Sequence, residues 1–265
     1  MTLKKISCLI LTLLTLVACN TNTKPLQDPN TTDKNGISSF KNEAQYENVI
    51  KQIDGNQSLI QIRSLLYSND EGKTQSVSGL IDKNGEILKL SQEYSDGKGI
   101  KVSLHFYFKN RKLISTLNKS LFINDKKGYC KEIKSYYYEN EVVLYSSSRK
   151  AKDEESIAAL SFRTDKKYSF KVDEALEILN QKGRFETRFQ SFMSIGGKEF
   201  IIVSAIGKDP YYSVLAIQPD DKVVQALKKN EKKYLNKLLK VEFEEVTESN
   251  GFTFQGLLKA EIVEE

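Results

Sequence analysis

The sequence predicts a β-rich α+β fold, in which an antiparallel β-meander is followed by five more strands with one helix. Three observations support this prediction. Short stretches alternate apolar with polar residues, and the chain contains 13 Tyr and 13 Phe. Asparagine- and glycine-containing turns separate these stretches. The clearest helical spacing, over residues 222–237, lies between the third and fourth of the last five strands.

The first residues of the chain form a separate segment. Lys4 and Lys5 precede an uncharged stretch, 6–17, which is shorter than the roughly 20 apolar residues that a membrane-spanning helix needs. The stretch leads into Leu16-Val17-Ala18-Cys19, which resembles the lipobox of bacterial lipoproteins. This resemblance implies a cleaved signal peptide and a lipid-modified Cys19. A plain secreted protein with an incidental cysteine is the alternative.

The resemblance also implies a location. A diacylglyceryl group on Cys19, joined by a further fatty acid such as palmitate, would hold the chain on a membrane of the bacterial cell envelope. In enteric bacteria an aspartate after the cysteine retains a lipoprotein at the inner membrane, and here Asn20 follows. We therefore expect the outer membrane if the cell has two. Residues 19–38 are almost free of apolar side chains and are predicted to be a disordered tether.

Charge and cysteine content exclude several classes of protein. Loss of residues 1–18 removes Lys4 and Lys5 and lowers the net charge from +5 to +3, which does not suggest nucleic-acid binding. With Cys19 committed to lipid, Cys130 has no partner for an intramolecular disulfide. We expect Cys130 to occupy a half-buried strand position.

The first predicted folded domain spans residues 39–165. A helix over 39–53 opens it, with capping chemistry at its start and a stop at Gly55. Strands follow from about 58 to 147, and the clearest is 101–109, with alternating apolar residues on one face. Asn84, Asn110 and Asn140 mark three similar turns, because asparagine tolerates the left-handed conformation of tight hairpins.

The second predicted domain spans residues 166–265, after a charged boundary segment at 148–168. A short helix over 172–182 precedes strands at 184–195, 200–206, 211–217, 239–244 and 252–262, with the 222–237 helix before the last two. This order resembles the OB-fold, a small five-stranded barrel. A small open sheet with one packed helix is the alternative. Gly256, within the last strand, would suit the bend that a barrel needs.

The OB resemblance implies a ligand surface near two turns, Gly196–Lys198 and Ser249–Gly251, and near a tyrosine pair. A sugar or a peptide is a chemically reasonable ligand there. The lysine-rich helix adds a basic surface for anionic lipid headgroups or an acidic partner. The lysines could instead form only the solvated face of an amphipathic helix. The tyrosines could instead be half-buried for packing. The candidate ligand or partner residues are Tyr211, Tyr212, Lys198, Lys228, Lys229, Lys232 and Lys233.

Catalytic motifs are not found in the sequence, and we predict no catalytic residue, metal or cofactor. His105 is the only histidine, which excludes multi-histidine zinc sites. Its strand face also carries Ser103 and Tyr107, the only start of a Ser–His–acid arrangement. The sequence therefore predicts a non-catalytic envelope lipoprotein with a binding, scaffolding, inhibitor or immunity role. Its partner would be an envelope protein, a peptide or a glycan. A carboxylate-based glycan hydrolase is the alternative.

Overall fold

The structure is a computed structural model that describes residues 42–123, 128–218 and 220–264. Within these ranges the chain forms five α-helices, one short 3-10 helix (Gly183–Phe185) and 14 strands. The helices are α1 (Glu43–Asp54), α2 (Glu154–Ala158), α3 (Asp173–Leu179), α4 (Lys222–Lys229) and α5 (Glu231–Tyr234). The strands are β1 (Ile60–Arg63), β2 (Tyr67–Ser68), β3 (Thr74–Ile81), β4 (Ile87–Ser95), β5 (Ile100–Lys109), β6 (Lys112–Phe122), β7 (Tyr129–Tyr137), β8 (Val143–Ala151), β9 (Arg163–Asp165), β10 (Arg188–Ile195), β11 (Lys198–Ser204), β12 (Tyr212–Ala216), β13 (Leu239–Thr247) and β14 (Thr253–Ile262).

The described strands form one large, open, mixed sheet, which confirms the β-rich α+β class. Its main path runs β10-β11-β12-β2-β3-β4-β5-β6-β7-β8-β9. Strand β1 also pairs with β3, and β14 pairs with both β12 and β13. The antiparallel meander predicted for the N-terminal half is confirmed, because β3 to β9 are consecutive neighbours in sequence and in space.

The three asparagine-containing turns connect β3 to β4, β5 to β6 and β7 to β8, as predicted. The residue that adopts the left-handed conformation differs among the three turns. Asn110 itself adopts a positive φ of 52°. In the other two turns the neighbours Gly85 and Glu141 take the left-handed conformation, with φ of 81° and 62°. Asn140 there accepts a hydrogen bond from the backbone of Val142 through its side chain (3.3 Å).

Helix α1 covers one face of the meander. Its start is capped by Asn42, whose side chain accepts a hydrogen bond from Gln45 N (3.2 Å), and it ends before Gly55, as predicted. Side chains on this face of the helix bury a small core against the sheet. We call this the α1 core; its buried members are Tyr46, Ile53, Tyr107, Ile114 and Tyr136.

The opposite face of the meander lies in a larger core, which joins both halves of the chain. Phe106 and Phe108 of β5 lie in the same cluster as Phe185, and Tyr67 donates a hydrogen bond to the backbone oxygen of Phe185 (2.8 Å). Gln75 donates to the hydroxyl of Tyr211 (2.9 Å). The sheet also continues from the N-terminal half of the chain into the C-terminal half, because β2 pairs with β12. The domain boundary at 165/166 stays a prediction, and these contacts cross it.

The last five strands are not closed into a barrel. They are ordered β10-β11-β12-β14-β13, and the link between β12 and β14 is a single parallel pair, Ala216 with Gly256. One isolated bridge joins Arg188 to Leu238. The bulge in the final hairpin falls at Leu258 rather than at Gly256, where a Cβ would lie 3.3 Å from Val246 Cγ2.

The predicted 222–237 helix is divided into α4 and α5. Asp221 caps α4 as predicted, accepting hydrogen bonds from Val223 N and Val224 N (2.8 and 2.9 Å). Asn230 then interrupts the helix and caps α5. The pattern of apolar side chains could not show this break, because asparagine is tolerated within helices at a modest cost.

Candidate functional site

Two hairpin turns of the C-terminal strands lie side by side. The turn between β10 and β11 is Gly196-Gly197, with φ of 60° and 79°, a conformation that glycine adopts without strain. In the turn between β13 and β14, Glu248 N donates to Phe252 O and Gly251 N donates to Glu248 O (both 2.9 Å), and Asn250 accepts from Phe252 N through its side chain (2.8 Å). Both turns are short and are defined by their own backbone hydrogen bonds.

An ion pair joins the two turns. Lys198, the first residue of β11, pairs with Glu248, which follows β13. The ammonium of Lys198 also lies 4.5 Å from the ring centroid of Phe254. Both charged side chains are more than a third exposed, so the pair contributes about 1 kcal/mol or less to stability. Its main effect is on the relative position of the turns.

Exposed apolar side chains surround this ion pair. Ile195 lies directly across from Lys198 in the β10–β11 pairing and is 58% exposed. Phe252 is 59% exposed, and its ring centroid lies 6.0 Å from that of Phe254. We call these five residues the tip surface: Ile195, Lys198, Glu248, Phe252 and Phe254. Single exposed apolar residues are common on protein surfaces, so this surface is a candidate site because its two exposed apolar side chains lie on turns that an ion pair joins.

The two sequence-predicted tyrosines do not form an aromatic platform on the surface. Tyr211 is only 3% exposed, and its ring lies 5.0 Å from that of Phe185 in the larger core. Tyr212 is half-buried and pairs with Ser68 of β2. Adjacent strand residues point to opposite faces, so the two rings cannot form one surface.

The predicted lysines are distributed over two places. Lys198 lies in the tip surface. Lys228 pairs with Glu199 of β11 (2.6 Å), which places the end of α4 beside the same hairpin. Lys229, Lys232 and Lys233 are exposed to solvent. An exposed lysine row on a short amphipathic helix is the ordinary solvated face of such a helix.

His105 lies on the polar part of the meander face that α1 covers. Its Nδ1 lies 2.8 Å from Ser91 Oγ and its Nε2 lies 3.2 Å from Ser103 Oγ. Burial lowers the pKa of His105 to about 4, helped by the positive charges of Lys89 and Lys119. Tyr107 takes no part in this arrangement, because its hydroxyl donates to Asp54 (3.1 Å).

Ser91 is a site residue that the sequence did not indicate. It lies on β4, opposite His105 in the β4–β5 pairing, and the next same-face pair is Glu93 with Ser103. Ser103 Oγ donates to Glu93 Oε1 (2.7 Å). The strand alternation predicted the face of His105, but only the register of the hairpin shows which β4 residues lie across from it.

Two carboxylates also meet at Tyr136. The hydroxyl of Tyr136 lies 2.6 Å from Glu47 Oε1 and 3.1 Å from Glu43 Oε1. Glu47 also forms an ion pair with Lys134 (2.7 Å). Burial raises the pKa of Glu47, but the hydrogen bonds from Lys134 and Tyr136 outweigh it and hold the pKa below its usual value.

Among the residues that the structure describes, no group of three or more His, Cys, Asp or Glu side chains is arranged to bind a metal ion. No helix in the described ranges is long and apolar enough to cross a membrane. The predicted signal peptide, Cys19 and the tether lie outside the described residues. Comparison with known proteins finds no matching family model, no matching curated protein and no matching solved structure.

Proposed function

We propose that this chain is a lipid-anchored binding module of the bacterial cell envelope, and that it binds a protein or peptide partner through the tip surface. One observation carries the binding role. The Lys198–Glu248 ion pair holds two turns together, and Ile195 and Phe252 stay exposed on them. Two exposed apolar residues beside a polar rim favour a protein partner over a purely polar ligand.

The anchor in this proposal is supported by the segment Leu16-Val17-Ala18-Cys19 alone. Metabolic labelling with an alkynyl fatty acid is expected to tag the wild type. The variant Cys19→Ser is expected to lose both the tag and the association with membranes. A variant that is still tagged would contradict lipid attachment at this cysteine. Fractionation of a two-membrane host would test the expected outer-membrane location.

An OB-like arrangement of the last five strands is part of the proposal. Its support is the order of the elements, with α4 and α5 between the third and fourth strands, and the Arg188–Leu238 bridge from the first strand to the start of the fourth. Members of that fold bind ligands at the first and last hairpin turns. In this chain those two turns carry the tip surface.

The binding role is tested by capture of partners from a cell-envelope extract. The double variant Ile195→Ser/Phe252→Ser removes the exposed apolar groups and keeps the ion pair. A matched control is Val142→Ser/Leu160→Ser, which changes two side chains on the meander that are 53% and 44% exposed. The wild type and the control should recover the same protein after crosslinking, and the tip variant should recover at least about tenfold less. Equal recovery by all three would contradict the proposal.

The alternative of a carboxylate-based glycan hydrolase needs a general acid with a raised pKa. The carboxylate pair at Tyr136 does not provide one, because the pKa of Glu47 is lowered and its charge is neutralised by Lys134. Both glutamates belong to the first turns of α1 and accept hydrogen bonds from Tyr136, a member of the α1 core. They therefore hold the helix on the sheet.

A further inference from the structure

His105 and three neighbouring side chains form a hydrogen-bonded series that is separate from the tip surface. Ser91 and Glu93 lie on β4, and Ser103 and His105 lie opposite them on β5. All four share one sheet face, because residues two apart in a strand point the same way. The resulting order is Ser91–His105–Ser103–Glu93, with neighbouring polar atoms 2.8, 3.2 and 2.7 Å apart.

The direction of each hydrogen bond in this chain follows from the carboxylate. An ionised Glu93 can only accept, so Ser103 donates its proton to it. Ser103 Oγ then accepts from the Nε2–H of His105. A neutral imidazole carries one N–H, so Nδ1 has a free lone pair and accepts the proton of Ser91.

Ser91 also faces an open space. A surface depression of about 150 Å³ is lined by Gln61, Ser78, Gly79, Leu80, Lys89 and Ser91. This space accommodates a group of a few heavy atoms and not a polymer. Lys89 is its only cationic lining residue, and its ammonium lies 2.7 Å from Asp54.

We propose that Ser91 is a nucleophile with His105 as its general base, forming an acyl-transfer site for small esters. Ser91 Oγ forms a bond to the ester carbonyl carbon as its proton passes to His105 Nδ1. The ester C–O bond then breaks, and the leaving alkoxide takes that proton and departs as an alcohol. Water repeats the sequence on the acyl-serine and releases a carboxylic acid. Ser103 and Glu93 are positioning residues, because they set the tautomer of the imidazole.

The oxyanion would be stabilised by Lys89. The backbone N–H groups of β4 are engaged in pairing with β3 and β5 on either side, so they cannot form the usual oxyanion hole. One ammonium already bonded to Asp54 is a weaker substitute, and turnover is expected to be slow. Covalent labelling of the serine is therefore the appropriate measurement.

A fluorophosphonate probe tests the proposal on the full chain. The wild type should gain a single label, and mass mapping should place it on Ser91. Ser91→Ala should lose the label, and His105→Gln should slow labelling by about 100-fold or more. The matched control Ser148→Ala removes a serine that donates to Asp165 (2.6 Å) without an imidazole, and its labelling should equal that of the wild type. An unlabelled wild type, or a labelled Ser91→Ala, would overturn the proposal.

Two further measurements apply if His105→Gln does not fold. Ser103→Ala keeps the Ser91–His105 hydrogen bond and removes the positioning link to Glu93, so labelling should slow by about tenfold. The labelling rate should also be flat between about pH 5 and 8, because the pKa of His105 is about 4 and the imidazole is neutral throughout. Lys89, Lys119 and Asp54 are the charged groups that act on this pKa. A rate proportional to hydroxide across that range would show that His105 is not the base.

Discussion

The meander and the C-terminal strands place their large apolar side chains differently. In the meander both faces are covered, so Tyr107 is buried in the α1 core and Phe106 in the larger core. Its hairpin turns carry mainly polar residues, and among the described residues the exposed Val142 of the β7–β8 turn has no second exposed apolar turn shown beside it. The C-terminal strands have a single shared core, and Ile195 and Phe252 are exposed at their turns. Covering two faces accounts for the buried apolar residues of the meander, whereas Ile195 and Phe252 are largely exposed, which supports the proposed binding role of their turns.

The largest expected effect comes from breaking the core that the two regions share. Phe185→Ala empties a fully buried ring position that contacts Tyr67 and Tyr211. We expect a loss of about 3–5 kcal/mol in the free energy of unfolding, measured in urea. The control Phe252→Ala, at the exposed tip, should change the free energy by no more than about 0.5 kcal/mol.

The shape of that unfolding curve tests the predicted domain boundary at 165/166. Contacts between Tyr67 and Phe185, and between Gln75 and Tyr211, lead us to expect one transition in which both regions unfold together. Phe185→Ala should then shift the whole curve. Two transitions, with only one shifted, would show that the regions unfold as separate domains.

A smaller effect concerns the attachment of α1, which distinguishes the meander from the C-terminal strands. Glu47→Gln removes the charge that Lys134 and Tyr136 stabilise, and should cost about 1–2 kcal/mol at neutral pH. The folded pKa of Glu47 is lower than its ordinary value of 4.5. Its contribution is therefore full above that value and is lost as the pH falls through the folded pKa.

The measurement is the difference in unfolding free energy between the wild type and Glu47→Gln across this pH range. That difference should shrink towards zero in acid, because a protonated glutamate resembles glutamine. Glu244→Gln, at an exposed position of β13, is the matched control and should show no such trend. A difference that stays constant with pH would show that the charge of Glu47 does not hold α1 in place.

Local features of the fold could be predicted from the sequence, and contacts distant in sequence could not. The helix caps at Asn42 and Asp221 form hydrogen bonds to residues two or three positions away, so the local sequence is enough to predict them. The Lys198–Glu248 pair joins residues 50 apart, and no local pattern encodes it. The sequence leaves open whether Tyr211 forms a surface platform with Tyr212 or packs inside, because no local pattern shows that its ring lies against Phe185.

The smallest expected effect concerns the rate at which the thiol of Cys130 reacts, and it tests whether burial or nearby charge slows this reaction. Cys130 lies on the far side of the meander from the tip surface. Cys130 is free, is 4% exposed and lies on β7, against which α2 packs. Burial raises the pKa of its thiol, and the carboxylates of Glu154 and Asp153 raise it further. We therefore expect very slow reaction with a thiol reagent in the native protein and complete reaction in denaturant.

Two substitutions at one position decide which cause governs this protection. Asp153 caps α2, accepting a hydrogen bond from Ser156 N (2.7 Å). Asp153→Ala removes the cap and the charge, whereas Asp153→Asn keeps a capping side chain and removes only the charge. If opening of α2 exposes Cys130, loss of the cap makes the alanine variant react about fivefold faster, and the asparagine variant reacts like the wild type. Equal acceleration in both variants would instead assign the protection to charge, and would leave α2 without a role in covering this end of the sheet.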